Sequence, residues 1–155
     1  MTSTPAAALP RQENKGRAFL AGTPIRTTTV TGAPALVIDV RLTSYRALPL
    51  SCIDSIEVQI DGTRTDPDRL RLVVDGVPWA LADLGRLSTV WWFVLDTAQL
   101  VVPVDALPAA GPHEVDGTLV TVEPYVSNGR FLFTSRSVRT LELDLDSPYL
   151  IGGLL

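Results

Sequence analysis

The chain has 155 residues, with 13 basic and 17 acidic side chains, one Cys, one His and one Met. A single cysteine, Cys52, excludes an intrachain disulfide framework, and a single histidine, His113, excludes a metal site built from several histidines. The net charge of −4 argues against nucleic acid and anionic membrane as partners, because both bind basic surfaces. No apolar run approaches the roughly 18–20 residues that a membrane helix needs.

Residues 1–16 are predicted to form a flexible N-terminal tail, and residues 17–155 a single domain. The first residues are rich in Thr, Pro and Ala and lack an apolar stretch like that of a signal peptide. A chain of this length ordinarily holds one core. We therefore expect one domain and, by default, a cytoplasmic protein.

From residue 17 onward, apolar residues recur with a period of two, which predicts strands rather than helices. The clearest alternating runs are Ile38, Val40 and Leu42, then Ile56, Val58 and Ile60, then Leu70, Leu72 and Val74. The pairs Asp61-Gly62 and Asp75-Gly76 predict tight hairpin turns after the second and third runs. Pro78 predicts that the return strand Val77–Leu81 lies at a sheet edge, because proline has no N–H to donate.

The second half of the chain continues the same pattern. We predict one helical turn within Ala82–Leu87, a loop at Leu107–Pro112, and strands at Trp91–Leu95, Leu100–Val104, Thr118–Val126, Phe131–Ser135 and Val138–Leu145. This makes about eight or nine strands, with a turn signal roughly every 8–14 residues, which is typical of an all-β fold. The predicted architecture is an antiparallel β-sandwich, with a β-barrel as the alternative.

Three groups of residues carry side chains suited to chemistry, and the pattern of each favours a structural role. His113 lies where a loop meets a strand, and Glu114 would point to the opposite face, so it cannot orient the imidazole. The acidic residues Glu142, Asp144 and Asp146 are spaced by two along a strand, almost 7 Å apart at each step, too far to converge on one ion. Cys52 lies in an apolar stretch and is interpreted as a buried, inert thiol. We therefore predict no catalytic residue and no metal site on this chain.

Two segments are candidates for contact with another molecule. The stretch Arg41–Ile53 is apolar but does not alternate, and such loops pack either on their own domain or on another chain. Trp91 and Phe93 would face one side of a strand and Trp92 the other, so one large aromatic group lies away from the main core. A second packed layer would cover it; otherwise it marks an interface or a sugar-stacking platform. The candidate interface residues are Tyr45, Arg46, Leu48, Pro49, Leu50, Trp91 and Trp92.

The distinctive block begins with Arg41-Leu42 and continues through Tyr45-Arg46 and the turn Leu48–Ser51. An isoleucine-rich strand, Ile56-Glu57-Val58, and the turn after Ile60 complete it. This block resembles the beta (small) subunit of bacterial C-glycoside deglycosidases. Later positions match in the same order, and these are Trp92, Asp96, Leu100, Gly111, His113, Val115, Tyr125 and Gly129. The resemblance runs over about Arg17–Leu145.

The resemblance implies a β-sandwich subunit that assembles with a larger alpha subunit, itself similar to TIM-barrel sugar-phosphate isomerases and epimerases. The alpha subunit is expected to hold a divalent metal, manganese or a similar ion, and a histidine base. The implied substrates are 3-oxo-C-glycosides of aromatic aglycones such as flavonoids. The ketone acidifies the C2 proton, and its removal lets the C–C bond to the aglycone break by elimination. The products of this carbon–carbon lyase are the free aglycone and an unsaturated 3-keto anhydro-sugar.

The resemblance thus implies that this chain alone is inactive and supports a catalytic partner. The alternative is a stand-alone carbohydrate- or protein-binding β-sandwich that uses Trp91 or Trp92 as a stacking platform. An autonomous hydrolase built on His113 is a third and less favoured hypothesis.

Overall fold

The structure is a computed structural model that describes residues 11–13, 18–123 and 131–150, the first three as backbone. The described residues form twelve strands, which are β1 (Arg11–Glu13), β2 (Ile25–Val30), β3 (Ala33–Arg41), β4 (Leu48–Pro49), β5 (Ile53–Ile60), β6 (Thr63–Arg64), β7 (Arg71–Val74), β8 (Val77–Ala80), β9 (Trp91–Trp92), β10 (Thr97–Pro103), β11 (Gly111–Glu123) and β12 (Phe131–Pro148). Three 3₁₀ helices accompany them, at Leu50–Cys52, Pro67–Arg69 and Leu81–Arg86. The predicted all-β class is confirmed, with more strands than the eight or nine expected.

Ten of the strands form one continuous sheet. Its order is β6-β5-β11-β12-β2-β3-β10-β7-β8, and β1 pairs with β12 off this path. The two ends, β6 and β8, are not paired with each other, so the sheet is open and sandwich-like rather than a closed barrel. The position of β8 at one end confirms the edge location predicted from Pro78.

The sheet is mixed, whereas the sequence predicted antiparallel pairing throughout. β1 and β2 both run parallel to β12, and the remaining pairs are antiparallel. β12 is 18 residues long and pairs with β11 from Phe131 to Leu143 before it reaches β2 at Leu143 and Pro148. One long strand therefore joins the two halves of the sheet. The break predicted between Ser135 and Val138 is wrong, because pairing with β11 continues through these residues.

One core contains the inward side chains of both halves. Ile56 and Leu119 come from the β5–β11 half, and Ile38 and Leu100 come from the β3–β10 half, and all four are fully buried in the same cluster. The first two residues of each of the three early runs are buried as predicted. Alternating burial is wrong at Val37 and Val73, which are also fully buried, in a second and smaller cluster with Ala35 and Val101. It is wrong for Leu145, which is 43% exposed, because the register of β12 against β2 shifts after Leu143.

The two Asp-Gly pairs form the predicted tight turns. The φ angles are 50° and 82° for Asp61 and Gly62, and 52° and 78° for Asp75 and Gly76. Two successive positive φ angles are characteristic of type I′ hairpin turns, which match the twist of the strands that they join. The helical turn predicted within Ala82–Leu87 is also present, as the 3₁₀ helix that ends at Arg86.

The predicted N-terminal tail and the segment after Glu123 are described only in part. β1 falls within the tail predicted over residues 1–16, and its backbone pairs with residues 132–134. The remaining residues of that tail, the end of the predicted strand Thr118–Val126, and the family-like positions Tyr125 and Gly129 lie outside the described residues. No helix in the described part of the chain is long and apolar enough to cross a membrane.

Candidate partner interface

The fold joins the two segments that the sequence identified as candidate interfaces. β4 and β9 form a separate two-stranded sheet, in which Leu48 pairs with Trp92 and Pro49 with Trp91. The 3₁₀ helix that follows β4 continues this pairing, since the Leu50 amide donates to the Val90 carbonyl at 2.8 Å. The apolar stretch after β3 is therefore structured rather than a free loop. It packs on its own domain through one face and leaves another at the surface.

Three of the seven predicted interface residues are buried in this chain's own core. Leu48, Leu50 and Trp92 are at most 1% exposed, so their side chains do not form part of the surface expected of contact residues. Pairing of β4 with β9 turns these side chains inward, and the Trp92 indole Nε1–H donates to the Asp96 carbonyl at 3.0 Å. Pro49 is half-buried. The sequence could not separate these residues from their exposed neighbours, because both sets are apolar.

The exposed residues surround one open groove. Tyr45 is 67% exposed, Phe93 54% and Leu95 84%, and all three line the groove together with Arg46. Trp91, on the strand that leads into Phe93, is 38% exposed. We call Tyr45, Trp91, Phe93 and Leu95 the aromatic patch. The expected opposition of Trp91 and Phe93 to Trp92 is confirmed, whereas the strand predicted to reach Leu95 ends at Trp92.

A short turn presents the second half of the patch. The Asp96 amide donates to the Phe93 carbonyl at 3.0 Å, and the Asp96 carbonyl accepts the indole hydrogen bond of Trp92. The fully buried Trp92 side chain thus holds the turn against the core. Leu95 lies at its tip, and the sequence missed this exposure because Trp91–Leu95 contains no glycine or proline to mark a turn.

The first half of the patch is held by polar contacts. The Arg46 guanidinium carbon lies 5.9 Å from the centroid of the Tyr45 ring, within cation–π range. The Arg46 amide points to the Ser44 hydroxyl at 3.4 Å. Ser44 is itself buried and hydrogen-bonds the carboxyl of Glu123. Burial raises the pKa of Glu123, and the hydrogen bond from Ser44 offsets only part of this increase. These contacts tie the Tyr45 turn to the end of β11.

His113 lies at the start of β11, where it bridges two other segments. Its Nδ1 is 2.6 Å from Asp61 Oδ2, and its Nε2 is 2.6 Å from the Ala109 carbonyl oxygen. These contacts confirm the prediction that His113 pins the start of a strand by hydrogen bonds. The orienting carboxylate is Asp61, which lies 52 residues away in sequence and was not identified from sequence. Both ring nitrogens are occupied, so neither is free to act as a base.

The remaining candidates for chemistry are also structural. Asp144 accepts from the Asp146 amide and from the Ser147 hydroxyl, so its carboxylate caps a turn. Within the described ranges, no three or more His, Cys, Asp or Glu residues are grouped so that they could hold a metal ion. Cys52 is buried as predicted.

The protein is thus an all-β, sandwich-like domain. Its exposed groove is formed in part by the apolar stretch Arg41–Ile53. The family described as C-glycoside deglycosidase beta subunit matches residues 26–125, which is more than half of the chain and includes that segment. This chain belongs to the C-glycoside deglycosidase beta subunit family.

Individual relatives agree with this assignment. The chain is 47% identical over 87 residues to the 3'-dehydrocarminate deglycosidase beta subunit of a Microbacterium species, an alignment that covers 56% of this chain and 65% of that relative. It is 36% identical over 96 residues to the C-glycoside deglycosidase beta subunit of Microbacterium trichothecenolyticum, covering 62% of this chain and 72% of the relative. A beta subunit of the same name from Arthrobacter globiformis is 31% identical over 99 residues, covering 64% and 76%.

Proposed function

We propose that this chain is the non-catalytic beta subunit of an alpha–beta complex that cleaves the C–C bond between sugar and aglycone in 3-oxo-C-glycosides. Membership of the beta subunit family supports the subunit role. The name of the Microbacterium relative, which gives 3'-dehydrocarminate as its compound, supports an oxidised glycoside as substrate. We expect the aglycone to leave by elimination, together with an unsaturated 3-keto anhydro-sugar.

We propose that the catalytic base and the metal ion belong to the other subunit. Elimination from a 3-oxo sugar needs a base for the C2 proton and a positive group that stabilises the developing enolate. The imidazole of His113 has acceptor oxygens against both nitrogens, and the described residues offer no grouped ligands for an ion. In keeping with the family resemblance, we expect the histidine base and a divalent, manganese-like metal on a TIM-barrel alpha subunit.

The observation that carries the proposal is the exposure of the aromatic patch. Tyr45, Phe93 and Leu95 are each more than half exposed around one groove, although large apolar side chains are favoured inside. Aromatic residues with an adjacent arginine, here Arg46, are enriched at the centres of protein interfaces. We propose that the patch docks on the alpha subunit, where it supports and shields the loops of the barrel's reactive face.

The test is assembly with an alpha subunit, expressed from a TIM-barrel gene adjacent to that of this chain. Leu95→Ser is compared with Leu107→Ser, because both leucines are exposed and lie at opposite ends of the seven-residue strand β10. That strand separates them by about 20 Å. We expect Leu95→Ser to weaken the complex by roughly 10-fold or more, with Leu107→Ser unchanged, as measured by titration calorimetry and size exclusion.

A second variant addresses the other half of the patch. Combined Tyr45→Ala and Arg46→Ala substitution removes both the exposed ring and the guanidinium, and is expected to abolish a stable complex on size exclusion. Circular dichroism checks that the variant retains its strand content. An unchanged complex in both this variant and Leu95→Ser would remove the patch from the interface.

The exposed ring of Trp91 supports a second candidate, a stand-alone carbohydrate-binding module. Trp92 cannot serve in that role, because it is fully buried. Calorimetry of the isolated chain with glycans and with free aglycones separates the two functions. Binding that is lost in Trp91→Ala would favour the module, and no binding without an alpha subunit would favour the complex. We also expect a cytoplasmic location.

A further inference from the structure

The ring of His113 contacts two segments beside a second groove, which shares no lining residue with the groove at Tyr45. These segments are the turn that begins at Asp61 and the loop between β10 and β11, which includes Ala109. The groove is lined by most of residues 60–66 and 103–108, together with Leu36 and Arg69, so His113 contacts its lining through Asp61. The His113 side chain is 12% exposed. It is therefore held between the two segments rather than free in solvent.

Both contacts of the ring are to oxygens that accept hydrogen bonds. An ionised Asp61 carboxylate and the Ala109 carbonyl have no hydrogen to donate. A neutral imidazole has a single N–H, so it can satisfy one of these oxygens and must turn a nitrogen lone pair toward the other. At 2.6 Å on each side, only the imidazolium satisfies both.

We propose that His113 in its charged form is a clasp that holds the Asp61 turn and the Ala109 loop together, and that its deprotonation as the pH rises opens one of these two contacts. Protonated His113 donates from Nδ1 to Asp61 and from Nε2 to Ala109. Loss of one proton removes one of the two donors, so one contact has to open. The clasp shares no residue with the aromatic patch, so it is independent of the partner proposed for that patch.

Negative charges around the ring favour the protonated form of His113. Asp61 and Glu142 both act on His113 with negative charge, and the Glu114 amide fixes the Asp61 carboxylate at 2.9 Å through Oδ1. The other charged residues of the groove beside Asp61 are Arg64, Asp66, Arg69 and Asp105. The hydrogen bond to Asp61, followed by that to Ala109, raises the pKa of His113 above its ordinary value, and the same bond lowers the pKa of Asp61.

The stability that the clasp contributes depends on pH within a window set by these two pKa shifts. Because the folded pKa of His113 is raised, its stabilising contribution is complete below the ordinary value of about 6.5 and is lost as the pH rises through the folded pKa. Because the folded pKa of Asp61 is lowered, its contribution is complete above the ordinary value of about 3.9 and is lost as the pH falls through the folded pKa. The clasp is therefore fully closed at weakly acidic pH, between these two ordinary values, and opens as the pH rises through the folded pKa of His113.

The experiment follows the single histidine by NMR. The full chain is labelled with ¹⁵N-histidine and, where a second subunit is required for solubility, reconstituted with that unlabelled subunit. We expect the titration midpoint of His113 to lie above the ordinary value of about 6.5, with both ring nitrogens protonated at pH values below that midpoint. A midpoint at or below about 6.5 would overturn the proposal without any variant.

Two matched variants test whether Asp61 is the group that raises the titration midpoint of His113. Asp61→Asn keeps the turn, since Asn tolerates a positive φ and is common at this position of a type I′ turn. Asp75→Asn makes the same change at the other Asp-Gly turn, which does not contact His113. We expect the His113 midpoint to fall in Asp61→Asn and to remain in Asp75→Asn. Equal midpoints in wild type and both variants would refute the clasp.

Discussion

The two adjacent tryptophans of β9 provide a matched test of the structure, because they have opposite environments. Trp92 is fully buried and donates its indole N–H to the Asp96 carbonyl, whereas Trp91 is 38% exposed. We predict that Trp92→Phe destabilises the fold and that Trp91→Phe does not. The substitution is chemically identical at the two positions, so any difference reports the location of the side chain.

The magnitude for Trp92→Phe has two parts. Loss of the indole hydrogen bond costs about 1 kcal/mol, and loss of buried ring atoms with the space that they leave costs about 1–2 kcal/mol. The sum of about 2–3 kcal/mol corresponds to a fall in Tm of about 5–10 °C for a domain of this size. Trp91→Phe is expected to change stability by about 0.5 kcal/mol or less.

The assay is thermal unfolding followed by circular dichroism, on the full chain and in the same assembly state for wild type and both variants. Similar losses for the two substitutions would refute the inward orientation of Trp92 and with it the pairing of β4 with β9. A secondary effect is expected on partner binding. Trp92 anchors the turn that carries Phe93 and Leu95, so its loss should also weaken assembly.

Two further predictions concern the interior. Gly117→Ala is expected to cost about 1–3 kcal/mol, since a Cβ there would lie 3.0 Å from the Leu20 Cδ2 and 3.2 Å from the Phe19 Cδ2; an unchanged unfolding midpoint would contradict this packing. Burial raises the pKa of Glu123, against an opposing hydrogen bond from Ser44, so the folded state loses stability as the pH rises through that pKa. Glu123→Gln should therefore raise Tm at pH 8 but not at pH 4, and an equal effect at both values would exclude an ionisable, buried carboxyl.

The local sequence pattern was sufficient to predict those features that depend on a single strand or a single turn. Alternation at Ile56 and Val58 identified the buried face of β5, because strand side chains project to opposite sides. The Asp-Gly turn that begins at Asp75 was predicted because few sequences accept two successive positive φ angles. Pro78 likewise located an edge strand, since a missing N–H is a property of the residue itself.

The candidate site was predicted only in part, since the sequence cannot tell apolar residues that face the core from those that face solvent. Tyr45 and Trp91 were identified and are exposed, whereas Leu48 and Trp92 were identified together with them and are buried. Leu95 was missed. Which side of each segment faces inward depends on the pairing of β4 with β9, and that pairing joins residues more than forty positions apart.

The sequence by itself determined the all-β class, the hairpin turns and the scarcity of groups for chemistry, because composition and the period of two are local properties of the chain. The tertiary structure decided the rest. It set β12 across both halves of the sheet with a parallel neighbour, gathered Tyr45, Phe93 and Leu95 around one groove, and brought Asp61 against His113. Each of these depends on contacts between distant segments, whose free energy comes from shared burial and paired hydrogen bonds that no single segment carries.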